Sequence, residues 1–211
     1  NVADITISAG DTTGTATFDP TDDSVYEGNE TATITMASVT GANAGSTTSQ
    51  TITITENDST PVVTLATSAS TIAENAGSSL TLTATLSNAT TEDVTVALST
   101  SGTGTEGTDY STISDITISA GATTGTASFT PTDDSIYEGN ETGIVAISTV
   151  SGGSANESGT PQSVTITITE NESAPTVTLT TSASSIAENA GSALTLTATL
   201  SVATTADVTV G

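Results

Sequence analysis

Lys, Arg and His are absent from this 211-residue chain, and so are Cys and Trp. Without a cation nothing can neutralise a phosphate, so nucleic acid and anionic membrane surfaces are excluded as partners. Without Cys there is no disulfide and no zinc-thiolate site, which leaves metal ions as the available staple. The loss of His, Cys and Lys together removes most general bases and activated nucleophiles, and an acyl-transfer triad is impossible. A glycosidase-type carboxylate pair is the chemistry that remains, with Asp134 and Glu138 as nominal candidates. Such a cleft normally carries aromatic platforms, and two Phe and three Tyr are too few. The chain is therefore read as a non-enzyme. No apolar run approaches the ~20 residues of a membrane span, which argues against direct membrane insertion. With no initiator Met or signal peptide in view, the sequence reads as a mature fragment or a window on a longer chain.

What is present is acid: 24 Asp and Glu, for a formal charge of −24. It is concentrated in Thr132-Asp133-Asp134-Ser135-Ile136-Tyr137-Glu138-Gly139-Asn140-Glu141-Thr142, which occurs earlier, nearly letter for letter, from Thr21 to Thr31 as Asp22-Asp23, Glu27 and Glu30 in the same spacing. Two carboxylates about 4 Å apart repel by ~1 kcal/mol in water and by roughly 4 kcal/mol at a partly buried site. A folded loop of this kind needs a counter-charge, and the chain has none. The charge must come from solution, and calcium, which takes six to eight oxygen ligands in flexible geometry, is the expected ion.

Other stretches repeat as well. Asp4-Ile5-Thr6-Ile7-Ser8-Ala9-Gly10 returns from Asp115 to Gly121, and Ile72-Ala73-Glu74-Asn75-Ala76-Gly77 returns from Ile186 to Gly191. A period of roughly 110 residues is a whole domain and not a solenoid unit, so the expected architecture is beads on a string. Residues 1–58 match the C-terminal half of a repeat, residues 61–172 form one complete repeat, and residues 175–211 match an N-terminal half. Short linkers follow Glu56-Asn57-Asp58 and Glu170-Asn171-Glu172, and a Pro precedes the next strand.

Within the complete repeat, apolar and hydroxyl residues alternate with period two, the mark of half-buried strands. The expected strands are A near 62–73, B over 80–86, C over 94–98, D over 116–118, E over 125–129, F over 142–149 and G over 164–168. This spacing predicts an all-β chain of tandem immunoglobulin-like antiparallel β-sandwiches. Tyr26 and Tyr137 are expected to plug the core beneath the acidic loops, and Phe18 and Phe129 to lie in the core. If the strands alternate up and down, Glu74, Glu106, Asp109, Asp133, Asp134, Glu138, Glu141, Glu170 and Glu172 gather at one pole. Glu92, Asp93 and Glu157 fall at the other.

At this point the chain resembles the Calx-beta domain. The carriers are Asp133-Asp134 with Glu138 and Glu141, the Asp115 to Gly121 strand and turn, and Gly107-Thr108-Asp109-Tyr110. The family includes regulatory domains of sodium/calcium exchangers and tandem arrays in large bacterial surface proteins. The resemblance implies a sandwich with a calcium cluster at one pole. Glu74, Asp109, Asp133, Asp134, Glu138 and Glu141 then fall on ligand positions, with Glu170 and Glu172 after the last strand. Their counterparts are Asp22, Asp23, Glu27, Glu30, Glu56 and Asp58 in the first half repeat and Glu188 in the last. The family's strong binders end in a run of Asp, so the Glu-Asn-Glu and Glu-Asn-Asp endings here imply fewer ligands. An affinity of roughly 10⁻⁴ to 10⁻³ M is expected. The functional expectation is a structural module of an extracellular fibre, adhesin or surface layer, stiffened by calcium between beads. Two alternatives stand beside it, a calcium-sensing regulatory module and a subunit that polymerises head to tail by completing a split sandwich. Partners are then calcium and either further copies or the continuation of the same long chain.

Overall fold

Thr and Ser alternating with Val, Ile and Leu place a branched apolar residue on one face of each strand and a wet hydroxyl on the other. In a computed structural model, which describes residues 2–160 and 162–211, those stretches form strands and no helix is present among the described residues. Asn1, in the first half repeat, and Pro161, in the complete one, lie outside the described residues. The strands are β1 (Val25–Tyr26), β2 (Glu30–Thr35), β3 (Ser49–Ile54), β4 (Val62–Thr67), β5 (Thr71–Ala73), β6 (Leu80–Leu86), β7 (Ala89–Thr90), β8 (Val94–Gly102) and β9 (Ile116–Ile118). They continue as β10 (Thr124–Phe129), β11 (Ile136–Tyr137), β12 (Glu141–Ser151), β13 (Asn156–Glu157), β14 (Ser163–Thr169), β15 (Val177–Thr181), β16 (Leu196–Leu200) and β17 (Ala203–Thr204).

Residues 61–172 carry two sheets, one in the order β10-β6-β4-β13 and the other β5-β14-β12-β8-β9. Between them lie Val63, Leu65, Leu82, Ala84, Leu86 and Phe129 from the first sheet and Val94, Val96, Ile116, Ile118, Val145, Ile166 and Ile168 from the second, all buried. Each large aliphatic side chain buried this way contributes about 1.5–3 kcal/mol. Tyr110, from the loop between β8 and β9, stacks on Phe129 at 4.7 Å between ring centroids and closes one end of the core. Gly143 makes room for that ring: a Cβ there would sit 2.7 Å from the Phe129 side chain.

Strand A differs from expectation. It breaks at Ser68–Ser70, where the Thr67 hydroxyl donates to the Ala69 carbonyl at 2.9 Å, and its second part, β5, crosses to the other sheet to pair in parallel with β14. A second parallel pair, β13 with β4, closes the opposite edge, so the sandwich is antiparallel in its centre and parallel at two edges. Strands C and F run further than expected, to Gly102 and Ser151, because each pairs with the other across a register shift between Ile147 and Thr149. Tyr26 and Tyr137 do not plug the core. Both are half-buried in the short strands β1 and β11.

The flanking segments hold less. In residues 2–58 an antiparallel ladder, β2 with β3, repeats the register of β12 with β14, Glu30 facing Ile54 as Glu141 faces Ile168. In residues 175–211, β15 with β16 repeats β4 with β6, Val177 facing Leu200 as Val63 faces Leu86.

Candidate metal centre

Four loops meet at one end of the sandwich. Glu74 follows β5, Asp109 lies between β8 and β9, Asp133 to Gly139 lie between β10 and β12, and Glu170 to Glu172 follow β14. Leaving aside the two-residue strands, two strands separate each loop from the next, β6 and β8, then β9 and β10, then β12 and β14, which brings the four loops to the same pole. One oxygen each from Glu74, Glu170 and Glu172 lie within 4.8 Å of one another, and so do one each from Asp109, Glu138 and Glu141. Oxygens bound to a common calcium at 2.3–2.6 Å are at most about 5 Å apart, so both groups meet that condition. The donor set is entirely carboxylate oxygen, the chemistry of a hard cation.

The electrostatics show what holding these acids together costs. Burial, with added repulsion from Glu170, Glu172 and Asp134, pushes Glu74 up to about 7 against the pull of the Asp134 N–H. Burial followed by the charges of Asp109 and Glu138 pushes Glu141 up to about 7. Glu138 is raised by burial and by Asp109, Asp134 and Glu170. The adjacent Glu170 carboxylate, together with burial, raises Glu172. The Oε2 atom of Glu172 is buried without a hydrogen-bond partner. An orphaned carboxylate oxygen inside a cluster of raised carboxyls suits the site to a hard cation.

Glu170 behaves otherwise. Burial alone would raise it, yet backbone donors outweigh burial and bring it down to about 2. Its Oε2 accepts the N–H of Glu138 and Gly139 at 2.6 and 2.8 Å, and its Oε1 accepts those of Asn171 and Glu172, both at 3.0 Å. Four donors occupy roughly the four lone-pair directions of a carboxylate, so little capacity is left for an ion. Glu56 does the same in the first segment, taking Glu27 and Gly28 on Oε2 and Asn57 and Asp58 on Oε1. These two residues shape the acidic loop. Gly28 and Gly139, at φ 75° and 78°, supply the left-handed turn that aims two successive N–H groups at one oxygen.

The remaining expected residues divide. Asp134 donates its N–H to Glu74 at 3.2 Å and accepts the Ile136 N–H at 2.7 Å, and Asp133 accepts the Asn171 side chain at 3.2 Å, so both border the first group without joining either. Asp22 and Asp23 repeat those bonds with Asn57 and Val25. Asp22, Asp23, Glu27, Glu30, Glu56 and Asp58 line one hollow, in which Glu27 is raised chiefly by Glu30, and Asp58 chiefly by burial and Glu56. Glu188 is exposed in its turn and joins neither acid group among the described residues. Glu106 is spent on the protein, accepting the Thr100 hydroxyl and the Ile113 N–H at 2.6 and 2.7 Å. At the far pole Glu92, Asp93 and Glu157 each cap a separate N–H, of Gly153, Ala120 and Gln162. The sequence pattern did not disclose the joint: β1, inside the first acidic loop, pairs in parallel with β7 of the central segment, and β11, inside the second, pairs with β17.

The profile of the Calx-beta domain matches residues 2–58 and 56–172. The chain belongs to the Calx-beta family. Domains of this family are calcium-binding modules and not catalysts, so the Calx-beta chain is not an enzyme. A solved structure, the apo form of the Calx CBD1 domain, aligns over 99% of its own length and 54% of this chain at 17% identity with a TM-score of 0.43. No curated protein matches.

Proposed function

We propose that this Calx-beta chain is a structural repeat module of a large extracellular protein of the bacterial surface type, a fibre, adhesin or surface layer in which calcium stiffens successive beads. Glu74, Glu172, Asp109, Glu138 and Glu141 hold the ions, with Asp133 and Asp134 in reach, while Glu170 and Glu56 hold the loops in shape. Glu27, Glu30, Asp58, Asp22 and Asp23 take the corresponding places in the first segment. When bound, calcium supplies the positive charge that this cation-free chain lacks.

One observation carries the reading. The loop that bears the acids is also the strand that seats on the next bead: Val25–Tyr26 lies between Asp23 and Glu27, and Ile136–Tyr137 between Asp134 and Glu138. Fixing the carboxylates on either side of that strand fixes the strand, and through it the joint. An isolated two-residue pairing is weak by itself, so an ion beside it has a large effect on stiffness.

Small-angle scattering of the chain in chelator and in millimolar calcium tests this. Calcium is expected to raise the maximum dimension and remove the signature of a flexible joint, with magnesium much less effective because it demands a tighter octahedral shell. Identical curves in chelator and calcium would overturn the reading. A calcium-driven change confined to residues 61–172, with joints unaltered, would favour sensing.

A further inference from the structure

Among the described residues the buried polar side chains of the central bead are Glu74, at the acidic pole, and Thr90, at the opposite one, 1% exposed. Thr90 is the residue of β7 that stands opposite Tyr26 of β1, where the acidic loop of the preceding bead seats. A buried hydroxyl and a buried main chain both need partners, and Thr90 finds them inside its own bead. Its hydroxyl donates to the Glu92 carbonyl at 2.6 Å, and its carbonyl accepts the Gly121 N–H at 2.8 Å. Its side chain bears on Gly153, where a Cβ would sit 2.7 Å from Oγ1. Three loops, after β7, after β9 and after β12, thus hold one residue in place.

The loop after β12 is shaped for close approach. Gly152, Gly153 and Ser154 follow one another at φ 91°, 53° and 54°, and Ser154 is the one non-glycine residue in the left-handed region among the described residues. At Gly152 a Cβ would run into the Asp93 carbonyl. Glu92 accepts the Gly153 N–H at 3.3 Å and Asp93 the Ala120 N–H at 2.8 Å, so both acids beside β7 are bound to their own bead. The linker is tied to the same hairpin: Val62 donates its N–H to Ser87 Oγ at 3.1 Å, and the Asn88 amide donates to the Ser59 carbonyl at 2.9 Å. The second joint repeats the scheme. Ile136–Tyr137 pairs with Ala203–Thr204, the Thr204 hydroxyl donates to the Ala206 carbonyl at 2.6 Å, and Thr176 donates its N–H to Ser201 Oγ at 2.9 Å. In both joints a β-branched residue and Tyr insert, and Ala and Thr receive.

We propose that the pole carrying β7 is a socket for the Val-Tyr or Ile-Tyr strand of the preceding bead's acidic loop, with Thr90 and Gly153 as its positioning residues. The socket rests on the proposed reading of the joint for which strand inserts, and it assigns the receiving half. Neither carboxylate group of the central bead lies at this end. A parallel pairing of two residues makes few hydrogen bonds and tolerates little displacement of either edge. Calcium fixes the inserting strand, and the three loops fix the edge that it meets. A fixed strand against a loose edge leaves the joint loose.

The test uses the whole chain. It has no Cys, so Ser49→Cys and Thr117→Cys, both at exposed positions, put one spin label on each side of the first joint. Pulsed electron resonance then reads the distribution of distances between them in millimolar calcium and in chelator. In calcium the labelled chain is expected to give one narrow distribution. Thr90→Ala, Gly153→Ala and Asn88→Val are each expected to broaden it by about twofold or more, because the receiving edge is no longer held in hydrogen-bonding register. Thr90→Ser keeps the hydroxyl and is expected to keep the distribution narrow. Asn88 lies outside the core, so its variant reads the socket with the main melting transition in place. The socket is decided by variants against the labelled chain in calcium, and the stiffening by the labelled chain in calcium against chelator, so either can fail alone. A labelled chain that is broad in calcium, any of the three variants as narrow as that chain, or Thr90→Ser as broad as Thr90→Ala would overturn the proposal.

Discussion

Glu170→Gln and Glu172→Gln make the same chemical change two residues apart, and their effects on the metal-free chain are expected to differ in sign or in size. Glu170 accepts four backbone N–H groups, two on each oxygen. An amide retains one acceptor oxygen, so whichever way it turns, two of those donors face an NH2 group. A hydrogen bond to a charged acceptor contributes about 1.5–3 kcal/mol, and water at the rim of the loop recovers part of it, leaving a loss of about 2–4 kcal/mol. For a bead of this size that lowers the melting temperature by roughly 8–15 °C in chelator. Glu172 has a raised carboxyl and a buried oxygen without a donor, so neutralising it removes repulsion and breaks no backbone bond. Its melting temperature in chelator is expected to hold or rise, while its calcium affinity falls by about tenfold or more as a ligand charge is lost. Scanning calorimetry in chelator and calcium reads both. If Glu170→Gln melts with the unaltered chain, or Glu172→Gln is destabilised as much in chelator, the division between loop anchor and ion ligand is wrong.

Further outcomes follow from the same geometry. Glu74 and Glu141 have folded values near 7 against an ordinary 4.5, so between those pH values the folded chain holds more protons than the unfolded one and metal-free stability falls as pH rises through the window. Glu170, brought down to about 2, contributes stability above 4.5 that is lost as pH falls toward 2. The metal-free melting temperature should therefore peak at about pH 4, which melts across a pH series will check. Calcium must displace protons from Glu74 and Glu141, so its affinity should drop by about tenfold per site between about pH 8 and pH 6, measured by titration. Ala203→Pro, which disrupts the two-residue pairing with β11, should loosen the second joint in scattering while leaving the main melting transition in place. Phe129→Ala removes the ring that Tyr110 stacks on and should cost about 3–5 kcal/mol in denaturant unfolding.

The fold was readable where one face of a strand is apolar and the other is Thr. β6, β9 and β14 show that alternation in Leu80 to Leu86, Ile116 to Ile118 and Val164 to Ile168, and their bounds came within a residue of expectation. The pole was readable because strand parity decides which loops share an end. The break in strand A was not, since Ser68-Ala69-Ser70 carries neither Gly nor Pro and continues the alternation. Nor were β1 and β11, which exist through a partner far along the chain and have no pattern of their own. Glu170 and Glu172 read alike in sequence, as acids after a strand. Their difference arises from where the N–H groups of the distant Gly139 turn point. Tyr110 was legible as the end of the Gly107 to Tyr110 motif but not as a core residue, because it lies in a loop outside any alternation, although it is among the most buried aromatic side chains.

The central claim is that a chain with no cation holds its polar acids together through calcium. Titrating calcium into the chelator-stripped chain in a calorimeter, near neutral pH and in two buffers of different ionisation enthalpy, addresses it directly. Saturable binding in the range of about 10⁻⁴ to 10⁻³ M, with protons released as Glu74 and Glu141 give theirs up, is the expected result. Heats that never saturate, with no proton release and a melting curve that chelator leaves unchanged, would contradict it.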